Sequence, residues 1–241
     1  MNRPKQLHLD VKLDEAISLE NFINCPSTEI ILQALRDFIS ESKMTRTFFL
    51  WGKEGTGKNY LLHSTNKKFL ENNLHTAFIS FTNNFFEDTS IFEGLEKMDV
   101  VFIEAIDQFP SDNKWELALF NLINACFAKG SKLLITSKLP AKDLEVKLPD
   151  LKSRLLAFLA FELPEITDEE KIRALKESAN RKGLTFDEKV QSYVLNHTSR
   201  SLSDLLKLLV DLDTFSLERK RKISISLVKD LLANKEGSPS I

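Results

Sequence analysis

The stretch GKEGTGKN, residues 52–59, is where residue types and spacing meet a defined chemistry. It follows the pattern GxxxxGK[ST] at every position except the last. In that pattern the glycines let backbone N–H groups crowd around phosphate oxygens, the lysine meets the outer phosphates, and the closing hydroxyl ligates magnesium. Gly52, Gly57 and Lys58 meet the first two demands, while Asn59 brings an amide where the hydroxyl belongs. Glycine is scarce, seven residues in all, and Gly52, Gly55 and Gly57 fall within six positions, so the clustering belongs to this loop and not to the composition. A tight turn without a ligand is the plainer alternative. The phosphate reading rests on lysine, glycine spacing and flanking elements occurring together.

Those flanking elements are the ones a phosphate loop needs. TFFLW, 47–51, is a short apolar run ending at a glycine and reads as a buried strand; Leu61, Leu62, Thr65, Phe69 and Leu70 recur at helical spacing behind it. A helix N-terminus placed there adds free N–H donors and an aligned dipole that favour an anion. The rhythm continues with strands expected at 76–81, 99–103, 132–136 and 158–163, and a helix over 113–129 stopped by Gly130. Strands alternating with helices predict an α/β fold with a parallel sheet. After Pro164 the pattern changes. Thr167 and Glu170 have the capping-box spacing before a helix that ends at Gly183, and helical periodicity returns over 190–196, 202–217 and 227–232. The expected organisation is a flexible segment 1–14, an α/β core 15–164, an all-helical domain 165–235 and a short tail 236–241. A phosphate-loop core followed by a small helical lid is similar to the AAA+ class of nucleotide-binding proteins.

In phosphate-loop enzymes a carboxylate at the end of a nearby strand holds magnesium and a further group orients the attacking water. The candidate strand reads VVFIEAID, 100–107. Glu104 stands at the metal carboxylate, Ala105 stands where a second acid is needed, and Asp107 is a possible substitute two residues on. With Asn59 and Ala105 both altered, the expectation is nucleotide binding without efficient turnover, the nucleotide acting as a structural ligand.

Composition removes several classes. A chain of 241 residues, 42% hydrophobic and 28% charged, is long enough for a substantial core, and its net charge of −2 gives no global basic field for nucleic acid. Cys25 and Cys126 lie far apart, and His8, His63, His75 and His197 are scattered, so no disulfide framework or zinc spacing is present. The start MNRPKQLHLDV has no apolar signal core, and no apolar run is long enough to span a bilayer; a cytoplasmic protein with no membrane partner is expected.

Read together, the segments QLHLDV, LWGKEGTGKNYLLH, DVVFIEAI, WELALFNL, KLLITSKLP, LPDLKSRL and KISISLVKDLL give the chain a resemblance to the DnaA-related AAA+ family, which spans nearly its whole length. The resemblance implies a P-loop AAA+ core with a helical lid and a regulatory role in bacterial replication initiation. It implies ADP as the bound nucleotide, held by Gly52, Gly55, Thr56, Gly57, Lys58, Asn59, Glu104, Ser137 and, from the lid, Arg200; whether magnesium is bound stays open. Arg154 in LPDLKSRL matches the family's arginine finger, which reaches into the nucleotide site of a neighbouring subunit, here the initiator DnaA. From the residues alone, Arg154 caps a helix or pairs with Asp150, and Arg200 is a surface arginine beside a capping Ser201. QLHLDV resembles the motif that docks on the sliding clamp, the beta subunit of DNA polymerase III. Gln6 would make the polar contact and Leu7, Leu9 and Val11 the apolar anchors, with DNA reached only through the clamp. Asp10 and the small Val11 depart from that motif, and an edge strand is the alternative.

Two other functions stay in view. An ATP-driven helicase loader would need the hydroxyl and acid missing at Asn59 and Ala105. A DNA-binding module would use the basic run Arg219 to Lys222, which has no interleaved aromatics for base stacking.

Overall fold

Strand β1 (Thr47–Trp51) lies inside a five-stranded parallel sheet, hydrogen-bonded to β4 (Lys132–Ser137) on one side and β5 (Leu159–Glu162) on the other. Strands β2 (Thr76–Ser80) and β3 (Val100–Glu104) extend the sheet beyond β4, giving the order β2-β3-β4-β1-β5. The structure, a computed structural model, describes residues 18–22, 25–40, 46–82, 86, 88–181, 183–185, 187–198 and 202–236. Parallel pairing requires a crossover after each strand, and helices supply it on both faces. Helices α1 (Pro26–Ile39) and α2 (Lys58–Glu71) cover one face; α3 (Asn113–Lys129) and α4 (Pro149–Leu156) cover the other.

The strands are apolar on both sides for that reason. Phe48 and Leu50 point into the layer of Leu35, Phe38, Leu61 and Phe69, while Phe49 points into the layer of Leu119, Ile123, Leu151 and Leu155. β3 divides in the same way, Val100 and Phe102 against Val101 and Ile103, the period of two that a strand imposes. The first layer is rich in rings: Phe38 meets Phe48 and Phe69 edge-on, with centroids 5.8 Å apart in each case.

The expected helix stop at Gly130 is present: the glycine has φ 83° and closes α3 by donating its N–H to the carbonyl of Cys126. After β5 only helices follow among the described residues, namely α5 (Asp168–Arg181), α6 (Glu188–His197), α7 (Leu202–Arg219) and α8 (Ile225–Glu236). The capping box before α5 forms in full, the Thr167 N–H donating to the Glu170 carboxylate at 2.9 Å and the Glu170 N–H to the Thr167 hydroxyl at 3.2 Å. These helices share their own apolar layer, which includes Leu175, Val190, Val194, Leu209, Leu212 and Val228. No helix among the described residues is long and apolar enough to cross a membrane.

Both cysteines are buried and unpaired. Cys126 lies in the α3 layer, where burial pushes its thiol up to about 11, so at neutral pH it stays protonated and unreactive. A disulfide-exchange reagent is expected to label neither thiol in the native protein and both after unfolding in urea; rapid labelling of the native protein would contradict this packing.

Candidate functional site

Parallel strands bring their carboxyl ends to one edge of the sheet, where an open α/β sheet binds its ligands. Register fixes which residues meet there: Trp51 lies opposite Ser137 and Ser80 opposite Glu104. Gly52, leaving β1, donates its N–H to the Ser137 carbonyl at 3.2 Å, and the next strand's Leu163 N–H donates to the Trp51 carbonyl at 2.6 Å. A Cβ at position 52 would come within 2.5 Å of the Leu163 carbonyl oxygen, so the loop leaves β1 through a gap that admits only glycine. Gly55 (φ 78°) and Gly57 (φ 101°) turn in the left-handed region, and Gly57 delivers the chain into α2 with Lys58 as its first residue.

Lys58 is buried and reaches back over the loop. Its ammonium donates to the carbonyl oxygens of Gly52 and Lys53, each at 2.6 Å, and the Thr56 hydroxyl donates to the same Lys53 carbonyl at 2.9 Å. Burial pushes the Lys58 ammonium below the ordinary lysine range; Asp107 and Glu54 oppose that shift and the charge of Lys138 adds to it. An anion in the loop would lift that strain, which is the electrostatic fit a phosphate supplies.

Glu104 ends β3 and is buried. The chain then turns sharply at Ala105, which has φ 57° and donates its N–H to the Thr136 hydroxyl at 3.3 Å. Asp107 accepts the Lys138 N–H at 2.7 Å, the Ser137 hydroxyl accepts the Leu139 N–H at 3.0 Å, and the Lys138 ammonium reaches across to Glu54 on the loop at 3.0 Å.

A cleft of about 180 Å³ lies between these elements. Of the residues expected at the nucleotide, Gly55, Gly57, Lys58, Asn59 and Ser137 line it. Gly52 and Thr56 shape the loop behind the lining, and Glu104 is buried beside it. Arg200 and the segment Gln6, Leu7, Leu9 and Val11 lie outside the described residues. Glu54, Lys138, Thr82 and Gln108 also line the cleft and escaped the sequence reading. Glu54 sits inside the loop stretch 52–59 and position 138 directly follows the expected Ser137, and these were the signals available.

Arg154 is placed elsewhere. It is exposed on α4, its guanidinium 5.4 Å from the ring centroid of Phe127 on α3, and it does not line the cleft of its own chain. Among the described residues no carboxylate pairs with it, so the pairing with Asp150 does not form. Helix α4 is anchored through Glu116, a fully buried acid of α3, whose carboxylate accepts the Leu148 N–H at 2.6 Å and the Lys147 N–H at 3.0 and 3.1 Å. A negative charge at the N-terminus of α4 meets free donors and the positive end of the helix dipole.

With this geometry in place, the comparisons with known proteins are decisive. The family described as the bacterial DnaA ATPase domain matches residues 13–162, and the family described as the Hda lid domain matches residues 168–232. The chain belongs to the DnaA-related AAA+ family. A Haemophilus influenzae protein described as uncharacterized is 32% identical over 230 residues, covering 95% of this chain and 98% of its own. Domain III of the Thermotoga maritima replication initiation protein DnaA has the same fold, with a TM-score of 0.70 at 19% identity over 92% of this chain and 97% of that one. AMPPCP-bound DnaA from Aquifex aeolicus superposes with a TM-score of 0.68 at 14% identity, covering 93% of this chain and 71% of that one.

Membership of the DnaA-related AAA+ family makes the strand-loop-helix unit a P-loop and the helices α5 to α8 an AAA+ lid. The P-loop fits an adenine nucleotide by its own features: two left-handed glycines, a buried ammonium and a helix N-terminus facing the cleft. Glu116 is the most buried charged side chain among the described residues, and it predicts a stability effect. Replacing it, Glu116→Ala, leaves the Lys147 and Leu148 N–H groups without their acceptor and is expected to cost about 2–3 kcal/mol in urea unfolding. An unchanged midpoint would show that α4 is held by its apolar side alone.

Proposed function

We propose that this protein is a DnaA regulatory inactivator of the Hda type: it docks on the DNA-loaded sliding clamp and stimulates ATP hydrolysis by DnaA, converting ATP-DnaA to ADP-DnaA and preventing reinitiation. In this reading the core spans 15–164 and the lid 165–235, and the protein works in the bacterial cytoplasm. The observation that carries the proposal is the position of Arg154. It is an exposed guanidinium with no carboxylate partner among the described residues, set on an aromatic ring and away from the chain's own nucleotide cleft. A free arginine in that position is suited to a phosphate on another molecule, where it neutralises charge developing on the transferred phosphoryl group. Exposed Leu156 on the same helix and Leu159 just after it add apolar surface for a neighbouring subunit.

The division of labour follows from what each site lacks. The chain's own P-loop offers Asn59 in place of the metal-binding hydroxyl and Ala105 in place of the second acid. It therefore holds ADP through Gly55, Gly57, Lys58 and Ser137, with Arg200 closing from the lid, and turns over little ATP itself. The bound nucleotide ties core to lid and so keeps the surface that meets DnaA in one shape. Docking on the beta clamp through Gln6, Leu7, Leu9 and Val11 confines this activity to replicated DNA, where the clamp is loaded. DNA is then a partner only through the clamp.

The test is the Arg154→Ala protein with ATP-loaded DnaA and clamp on DNA. It should bind ADP as the wild type does and lose stimulation by on the order of 10³, the scale of an arginine finger supplied in trans. Full stimulation by Arg154→Ala would remove the finger assignment.

A further inference from the structure

The cleft contains a cation that the phosphate-loop pattern does not call for. Lys138 follows Ser137 at the end of β4 and lines the same cleft as Lys58. Its backbone is fixed by the Asp107 carboxylate, and its ammonium crosses the mouth of the cleft to Glu54. We propose that Lys138 is a second phosphate-binding cation, which neutralises the diphosphate in the way a divalent metal does at other P-loops, so that this cleft binds a nucleoside diphosphate without magnesium. The proposal rests on the nucleotide-binding reading above and deepens it.

Two features of the cleft support it. The first is the donor set for a metal. Magnesium takes near-octahedral oxygen ligands and is held at P-loops by a hydroxyl, a carboxylate, waters and the phosphates themselves. Here position 59 offers a neutral amide, position 105 offers nothing, the Glu104 carboxylate is buried and outside the lining, and the two carboxylates that do line the cleft are already engaged, Asp107 by the Lys138 N–H and Glu54 by the Lys138 ammonium. The ammonium groups of Lys58 and Lys138 offset the two carboxylates of the lining, which leaves no net negative charge to draw a dication. The residues present do not fit magnesium.

The second is the state of the Lys138 ammonium. Its partner Glu54 is 84% exposed and Lys138 itself 47%, and an ion pair so open to water is weak and readily exchanged. A diphosphate carries more charge than one carboxylate and, held by the loop amides, would lie between both lysines. Lys138 would then leave Glu54 for phosphate oxygen. Lys58 already responds to this cation, since the charge of Lys138 helps push its ammonium down. Phosphate between the two relieves that push on Lys58.

The test is calorimetric titration of the full-length protein with ADP, in excess EDTA and in millimolar magnesium, using wild type, Lys138→Ala and Glu54→Gln. Both side chains are exposed, and matched unfolding temperatures will establish that the variants are folded. Wild type is expected to bind with the same Kd in the two buffers within about 2-fold. Lys138→Ala is expected to weaken binding in EDTA by about 10-fold, the loss of one charge-assisted contact. Glu54→Gln, which removes the competing carboxylate, is expected to tighten it. A wild-type Kd that improves 10-fold or more with magnesium, or a Lys138→Ala protein with wild-type affinity, would overturn the proposal and leave the nucleotide-binding reading standing. No binding by wild type in either buffer would overturn both.

Discussion

The Lys58 ammonium, buried and held between the carbonyl oxygens of Gly52 and Lys53, is the interaction on which the site depends. A buried charge is tolerated only when its donors are satisfied, and here they are satisfied by the loop that a phosphate would occupy. That arrangement dictates the rest. Gly52 must lack a side chain because the Leu163 carbonyl lies where a Cβ would be, and Gly57 must turn left-handed so that α2 begins at the lysine. β1 must be flanked by β4 and β5, because their backbones fix the loop's entry through Ser137 and Leu163. The loop is thus preorganised, with its cation already at the anion position.

A second centre is organised by α3. The helix packs beneath the sheet through Leu119 and Ile123, accepts the N-terminus of α4 with Glu116, and offers Phe127 as the platform for Arg154. The two centres lie on separate surfaces, one concave and lined by the P-loop, the other exposed and carrying the arginine. Under the proposed function that separation is what allows one molecule to hold its own nucleotide while acting on the nucleotide of another.

Much of this was legible in the sequence, and the limits have physical causes. The phosphate loop was readable because its spacing is local and its glycines are rare elsewhere; the same holds for the Gly130 stop and the Thr167–Glu170 capping box. Strand ends moved by a residue or so. β3 starts at Val100, not 99, because pairing with β2 begins at Thr76 opposite Val100. Glu116 could not be found, since an acid in an amphipathic helix looks solvent-exposed until α4 folds over it. Glu54 and Lys138 are 84 positions apart, and only the parallel register brings them together. Helix α1 bears no residue pattern with a chemical role, so nothing in the candidate site pointed to it. The resemblance that seven segments gave along nearly the whole chain is borne out by the matches to the DnaA ATPase and Hda lid families.

The central claim is that hydrolysis happens in the partner and not in this chain. The most direct measurement is single-turnover phosphate release from ATP-loaded DnaA with this protein and clamp on DNA, omitting each component in turn and including this protein alone with ATP. The account predicts rapid release only when all are present and almost none from this protein alone. Release from this protein alone at a comparable rate, or no acceleration of DnaA with every component present, would contradict it.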